Sequence, residues 1–151
     1  MSVCQSPDLR PAVIQSKGRM LKALRYLWAL PNSLFGLLFV IPTLLTGGGA
    51  KVVEGVLELH GGVAAFFLRY CTPLRGGASA MTLGHVVLGK TPWLLEATRK
   101  HERVHVRQAE IWGPLFLPAY LLSSLVLLIK GGRPYRDNPF ERQAYDHEEL
   151  A

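Results

Sequence analysis

Two histidines and a glutamate in one short stretch, His101-Glu102-Arg103-Val104-His105, have the spacing of a metal site. On an α-helix, residues four positions apart lie on the same face, so nitrogen atoms of His101 and His105 can reach one metal ion. Glu102 lies beside the first histidine, where its carboxylate can contact a water in the open coordination position of that ion. This is the arrangement of a hydrolytic zinc site.

The stretch lies in the middle of a predicted amphipathic helix. Thr91 can act as its N-cap, Pro92 suits the first turn, and Gly113-Pro114 ends the helix after Trp112. A mid-helix position is what a pair of histidine ligands requires. The alternative interpretation is a solvated, charged helix face that carries two histidines by chance.

A third protein ligand is expected, because two histidines alone bind zinc weakly. Glu110 follows on the same helix but points roughly 140° away from His105, so it cannot converge on the same ion. Glu141 is the favoured ligand, since it falls in the first turn of a last predicted helix with Asn138 as N-cap and Pro139 as first residue. Other possible ligands remain, namely His60, His85, Asp146 and His147, although His85 is better explained as an outward-facing strand residue.

Composition favours one domain with a membrane surface as partner. The chain has 151 residues, of which 49% are hydrophobic, and a mean hydropathy of +0.19. These values are high for a soluble protein and low for a polytopic membrane protein. The net charge of +6 comes from basic residues that flank apolar segments, so we expect no nucleic-acid partner and favour anionic lipid. Cys4 and Cys71 form no disulfide framework.

Charge patterning divides the chain into three regions. Residues 1–25 are predicted to be a basic flexible tail, with a cluster of cations near its end. Residues 26–46 carry no charge and predict a transmembrane helix, which places the preceding cations on the cytoplasmic side. Pro31 and Pro42 fit a kinked span and equally a bent helix packed on the domain. Residues 50–151 form the predicted metal-binding domain.

The order of elements in this domain predicts an α+β fold. Residues 51–60 alternate between apolar and polar types and predict one strand, with a bulge at Gly55. A short apolar helix is predicted over 63–70, and residues 80–88 predict a second strand directly before the helix that carries the histidines. Strands followed by that helix give the α+β order.

The uncharged stretch of residues 114–129 decides whether a site can form. If it crossed a bilayer, Glu141 would end on the order of 25 Å from His105, since a helix rises about 1.5 Å per residue. We therefore expect this helix to fold back antiparallel on the helix that carries the histidines. Gly131-Gly132 and Pro134 would then turn the chain toward the metal.

The pattern His101-Glu102-x-x-His105, followed by Asn138-Pro139-x-Glu141-Arg142-x-Ala144, resembles the gluzincin metallopeptidases of minimal zincin type, including small bacterial membrane-associated proteins. The resemblance covers residues 80–145. It implies that His101, His105 and Glu141 bind Zn²⁺ and that Glu102 is the general base.

The same resemblance implies a minimal zincin-like architecture, in which two short strands pack on the active-site helix and a helical hairpin, here preceded by an N-terminal hydrophobic helix. Residues 81–88 would pair with the substrate backbone. These proteins often carry an acid four residues after the third ligand, where this chain has Tyr145 followed by Asp146. A donor to the oxyanion would come from Tyr145, His147 or His85.

The expected function is that of a membrane-associated zinc metallopeptidase, in the bacterial inner membrane, that hydrolyses a peptide or protein substrate with a zinc-activated water. One alternative is a non-catalytic membrane-associated protein with a structural or vestigial metal site. The other is a basic adaptor that docks on anionic lipid and binds no metal.

Overall fold

The chain combines helices with one four-stranded sheet in the computed structural model, which describes residues 10–74 and 76–149. The predicted α+β class is therefore confirmed. Residues 1–9, within the predicted tail, lie outside the described part. The elements in chain order are α1 (Arg10–Leu37), α2 (Val40–Leu45), β1 (Gly49–Val53), β2 (Val56–His60), α3 (Gly62–Tyr70), β3 (Ala80–Leu83), β4 (Val86–Gly89), α4 (Pro92–Trp112), a 3-10 turn (Gly113–Leu115), α5 (Phe116–Ile129) and α6 (Pro139–Glu149).

The sheet has the strand order β1-β2-β4-β3 and is built from two hairpins. β1 and β2 are antiparallel, as are β3 and β4, and the inner pair β2 and β4 is parallel. The prediction of one strand over 51–60 and one over 80–88 was wrong, since each segment folds into two strands. Glu54 and Gly55 both have positive φ, which makes the tight turn of a hairpin rather than a bulge.

Alternate residues of β4 point to opposite faces of this sheet and are buried on both. Val86 and Leu88 pack with Leu59 and Leu68, on the side covered by α3. Val87 instead packs with Leu95 and Val106 of α4. These contacts hold α4 against the sheet over the part of the helix that includes the histidines.

Helix α1 begins within the segment predicted as a tail, since it starts at Arg10. The predicted hydrophobic helix over 26–46 is divided between the second half of α1 and the short α2. Small and polar residues of α1 face the domain. The Asn32 side chain donates to the carbonyl of Gly113 at 2.6 Å, and the Ser33 hydroxyl accepts from the backbone N–H of His85 at 2.9 Å.

The opposite side of α1, together with α2 and α5, exposes large apolar residues. Leu27 is 65% exposed, Ile41 69% and Leu121 65%. Among the described residues, two helical stretches are long and apolar enough to cross a bilayer, Arg19–Leu45 and Pro92–Ile129. The second runs through α4, the 3-10 turn and α5. Contiguous apolar surface of this extent is typical of contact with lipid or with a partner protein.

The chain returns from the far end of α5 along the side of that helix. The backbone N–H of Gly132 donates to the carbonyl of Leu127, and the Ser124 hydroxyl donates to the carbonyl of Pro134. The Asn138 side chain then donates to the carbonyl of Tyr120. The segment 130–138 thus runs back beside α5. The start of α5 itself lies back against α4, since the rings of Phe116 and Tyr120 are each 6.3 Å from the ring of His105.

We predict that replacing Gly36 by valine loosens α1 from the sheet. A Cβ atom at this position would lie 2.5 Å from Cβ of Val86, too close for the two backbones to keep their separation. Overpacking of this kind costs about 1–3 kcal/mol of unfolding free energy. Thermal unfolding of the full chain in a nonionic detergent should show a lower midpoint for Gly36→Val. Leu37→Val, at an exposed position of the same helix, is the control, and equal midpoints for the two variants would contradict this packing.

Candidate metal centre

Two helix starts place the side chains of the site. In α4 the Thr91 hydroxyl accepts from the backbone N–H of Leu94 at 3.1 Å, with Pro92 as first residue, as predicted. In α6 the Asn138 side-chain oxygen accepts from the backbone N–H of Phe140 at 3.0 Å, which confirms this N-cap. Asn138 also donates to the Ser124 hydroxyl, so the start of α6 is tied to α5. The side chain of Glu141 therefore reaches the metal site from the first turn of α6.

The predicted ligand atoms converge. His101 Nε2 and His105 Nε2 are 3.2 Å apart. Glu141 Oε2 lies 3.2 Å from the first of these nitrogens, and Glu141 Oε1 lies 3.4 Å from the second. In a tetrahedral zinc site with bonds of about 2.1 Å, the ligand atoms stand roughly 3.4 Å apart. These three buried residues can therefore hold a metal ion, and two imidazoles with one carboxylate form a ligand set that suits zinc.

Glu141 is held as a carboxylate despite its burial. Burial alone raises the pKa of this group. Hydrogen bonds with His101 and His105, the positive charge that His105 carries when protonated, and a hydrogen bond from Tyr120 outweigh the effect of burial. Together they lower the pKa of Glu141 to about 2. The Tyr120 hydroxyl donates to Glu141 Oε1 at 2.6 Å. A deprotonated carboxylate is the form that binds metal.

Gln108 determines which nitrogen of His105 is available. Its side-chain nitrogen donates to the carbonyl of Phe140 at 3.0 Å and to the side-chain oxygen of Gln143 at 2.8 Å. Its oxygen therefore accepts, and His105 Nδ1, at 2.8 Å, is the donor. With the proton on Nδ1, Nε2 of His105 keeps its lone pair for the ion.

Tyr145 occupies the position at which the resembled enzymes often carry an acid. Its ring lies 4.8 Å from the ring of His101 and packs against that imidazole. The orienting hydrogen bond to a ligand is made instead by Gln108, from α4 itself. Gln108 and Tyr120 were not predicted, although Gln108 lies three residues after His105 on the same helix face.

Glu102 is buried beside the ligands and faces the sheet. Thr82 of β3 donates from its hydroxyl to Glu102 Oε2 at 2.6 Å, and both side chains are buried. β3 is one of the two edge strands of the sheet, whereas β4 lies between β2 and β3. Of the segment 81–88 that we expected at the rim, only the β3 part is therefore at an edge.

The other possible ligands lie outside this group, which consists of His101, His105 and Glu141 among the described residues. His85 is buried rather than outward-facing, so that expectation was wrong. Its Nε2 lies 3.2 Å from Glu110 Oε1, and its ring stacks on Tyr26 with centroids 3.8 Å apart. Glu110 lies on the α4 face opposite the ligands, as its spacing implied. His60, Asp146 and His147 are likewise not part of the group.

No protein-family model matches the chain, and no curated protein or solved structure matches it. The resemblance to gluzincins therefore stays a prediction that depends on the motif residues.

We predict that Gln108→Leu weakens zinc binding by about 10–100-fold, the usual effect of removing a partner that orients a histidine ligand. Leucine cannot accept the proton of His105 Nδ1, so the productive tautomer is no longer selected. Competition with a chromophoric chelator measures the dissociation constant. Gln143→Ala is the control, because Gln143 is exposed and contacts Gln108 without contacting a ligand. Equal affinities for wild type and Gln108→Leu would contradict this role.

Proposed function

We propose that this protein is a membrane-associated zinc metallopeptidase in which His101, His105 and Glu141 bind the metal and Glu102 is the general base. The observation that carries the proposal is the convergence of three buried residues, whose imidazole nitrogens and carboxylate oxygens approach one another to 3.2 to 3.4 Å. A buried carboxylate stands next to them, on the same helix and turned toward the edge strand. A structural zinc site needs no general base, because a fourth protein ligand occupies the coordination position that a reacting water would take.

The division of labour between the residues follows from these contacts. Zinc, when bound, polarises a carbonyl group and lowers the pKa of a coordinated water. Glu102 accepts a proton from the attacking water and then donates it to the leaving amine. The Thr82 hydroxyl donates a hydrogen bond to Oε2 of Glu102, so Oε1 is the oxygen that would take part in the proton transfer. Tyr120 and Gln108 keep Glu141 and His105 in the orientations that bind the ion.

The edge strand supports a peptide as the substrate. An extended peptide can add to an exposed sheet edge through main-chain hydrogen bonds. β3 lies at an edge of the sheet, and its residue Thr82 contacts the proposed base directly. A peptide paired with β3 would therefore run past Glu102.

The apolar exterior supports a membrane location, which we propose to be the bacterial inner membrane. The stretch Arg19–Leu45 is long enough to cross a bilayer, whereas α5 alone, with 14 residues, rises only about 21 Å and is too short to do so. Tyr120, near the start of α5, contacts Glu141. The site would therefore lie close to the lipid boundary, where a substrate segment leaving the membrane could reach it.

We predict that Glu102→Gln retains zinc and lowers the rate of peptide hydrolysis by about 10²–10⁴-fold, because glutamine cannot accept a proton. His105→Ala should lose the metal. Elemental analysis of the purified full chain gives the zinc content, and mass spectrometry of a mixed peptide library gives the cleavage rate.

Unchanged hydrolysis by Glu102→Gln would remove this mechanism. Zinc retained by wild type without cleavage of any peptide would favour the non-catalytic alternative. Wild type that takes up no metal would favour the lipid-docking adaptor.

We further predict that Thr82→Val lowers kcat by about tenfold and leaves zinc content and KM unchanged. Valine has the shape of threonine but cannot donate to Glu102, and a hydrogen bond to a charged group contributes about 1.5–3 kcal/mol. Thr82→Ser keeps the hydroxyl and should restore most of kcat. If Thr82→Val and Thr82→Ser were equally slow, the defect would come from packing of β3 and not from the hydrogen bond.

A further inference from the structure

A cavity of about 270 Å³ lies on the face of α4 opposite the metal ligands. One wall is formed by Arg103, Val106, Arg107 and Glu110, whose spacing places them on one helix face. α1 supplies the opposite wall with Lys22, Arg25 and Tyr26. Three residues of the two hairpins complete the lining, namely Glu54, Val56 and His85. We call this cavity the basic pocket.

The charges in the basic pocket favour an anion. Four cationic side chains face two carboxylates. Glu110 is already engaged by His85 at 3.2 Å and by Arg25 at 3.7 Å. The other carboxylate of the lining, Glu54, is 77% exposed and lies 3.5 Å from Arg103 Nε. Arg103 Nη2 also lies 3.5 Å from Oε1 of Glu58, a buried carboxylate outside the lining, so the charge of Arg103 is already partnered. Within the part of the chain that the structure describes, Lys22 and Arg107 form no ion pair, so their charge remains available.

Three buried nitrogen atoms in the lining lack a hydrogen-bond partner among the described residues. They are Nε and Nη1 of Arg103 and Nδ1 of His85. Arg103 is nevertheless held firmly, because its Nη2 donates to the carbonyl of Val53 at 2.7 Å. Buried polar atoms of this kind are normally satisfied, and the unused N–H groups of Arg103 at the cavity wall are donors that suit a ligand with acceptor oxygens.

We propose that the basic pocket binds a phosphate group, supplied by the headgroup of an anionic phospholipid. A fixed guanidinium with an unused N–H matches the geometry of a phosphate, which offers several acceptor oxygens. This proposal does not depend on the peptidase activity.

The position of the basic pocket along α1 identifies the lipid as the source. Lys22 and Arg25 directly precede the uncharged run that starts at Tyr26, and cations at such a boundary lie at the level of the headgroups. Leu21 and Leu24, on the same turns of α1, are 52% and 54% exposed. They would contact the acyl chains of a lipid whose phosphate enters the pocket. Such a lipid would fix α4 at the membrane boundary, with the metal face turned away from the bound headgroup.

The test uses the full chain in a nonionic detergent and isothermal titration calorimetry. The probes are short-chain phosphatidylglycerol, short-chain phosphatidylcholine as the zwitterionic comparison, and inorganic phosphate. Lys22→Gln/Arg107→Gln removes two pocket charges from exposed side chains. The matched control is Lys130→Gln/Arg136→Gln, which removes one lysine and one arginine that are also exposed.

We expect saturable binding of phosphatidylglycerol at one site per chain, at least tenfold weaker in the pocket variant and within twofold of wild type in the control. Lys22→Arg/Arg107→Lys keeps the charges and should keep the affinity, which guards against a folding defect. Saturable binding of inorganic phosphate alone, lost in the pocket variant, would support a phosphate site but assign it to a soluble ligand. Binding of neither probe, or an equal loss in the pocket and control variants, would overturn the proposal.

Discussion

The structure depends on one buried carboxylate held between two buried imidazoles. Burial of Glu141 would be unfavourable without partners, and it has three of them, His101 and His105 from α4 and Tyr120 from α5. These contacts of Glu141 join the last helix, α6, to α4 and α5. Gln108 reinforces the junction, because its side chain bonds both His105 and the backbone of α6. The same contacts that fold the C-terminal part of the chain therefore assemble the metal ligands.

A second constraint is the apolar exterior. Helix α1 directs its polar residues Asn32 and Ser33 toward the domain and its leucines outward, the reverse of the pattern of a helix that faces water. Helix α4 then separates two environments. One face meets α6 and holds the metal ligands, and the other meets α1 and lines the basic pocket. The chemistry and the proposed attachment to lipid thus lie on opposite sides of one helix, so a change on one side need not alter the other.

Local signals explain how much the sequence could predict. The ligand set was accessible because helical spacing aligns His101 with His105 and because Asn138-Pro139 marks the helix start before Glu141. The two hairpins were predicted as single strands, because residues 51–60 alternate between apolar and polar types across the turn and residues 80–88 form one mostly apolar run. The sequence did not indicate the positive φ of Glu54, because glutamate rarely adopts this backbone conformation. The roles of Thr82 and Tyr120 depend on contacts between distant segments, which no local pattern encodes. The burial of His85 depends equally on the docking of α1.

X-ray absorption at the zinc K-edge of the full chain, purified after growth with zinc, tests the central claim most directly. A site made of His101, His105 and Glu141 predicts one zinc per chain, with scattering from two imidazoles and oxygen neighbours at about 2.0–2.2 Å. A spectrum without imidazole scattering, a first shell of sulfur, or a protein that takes up no zinc would contradict the account.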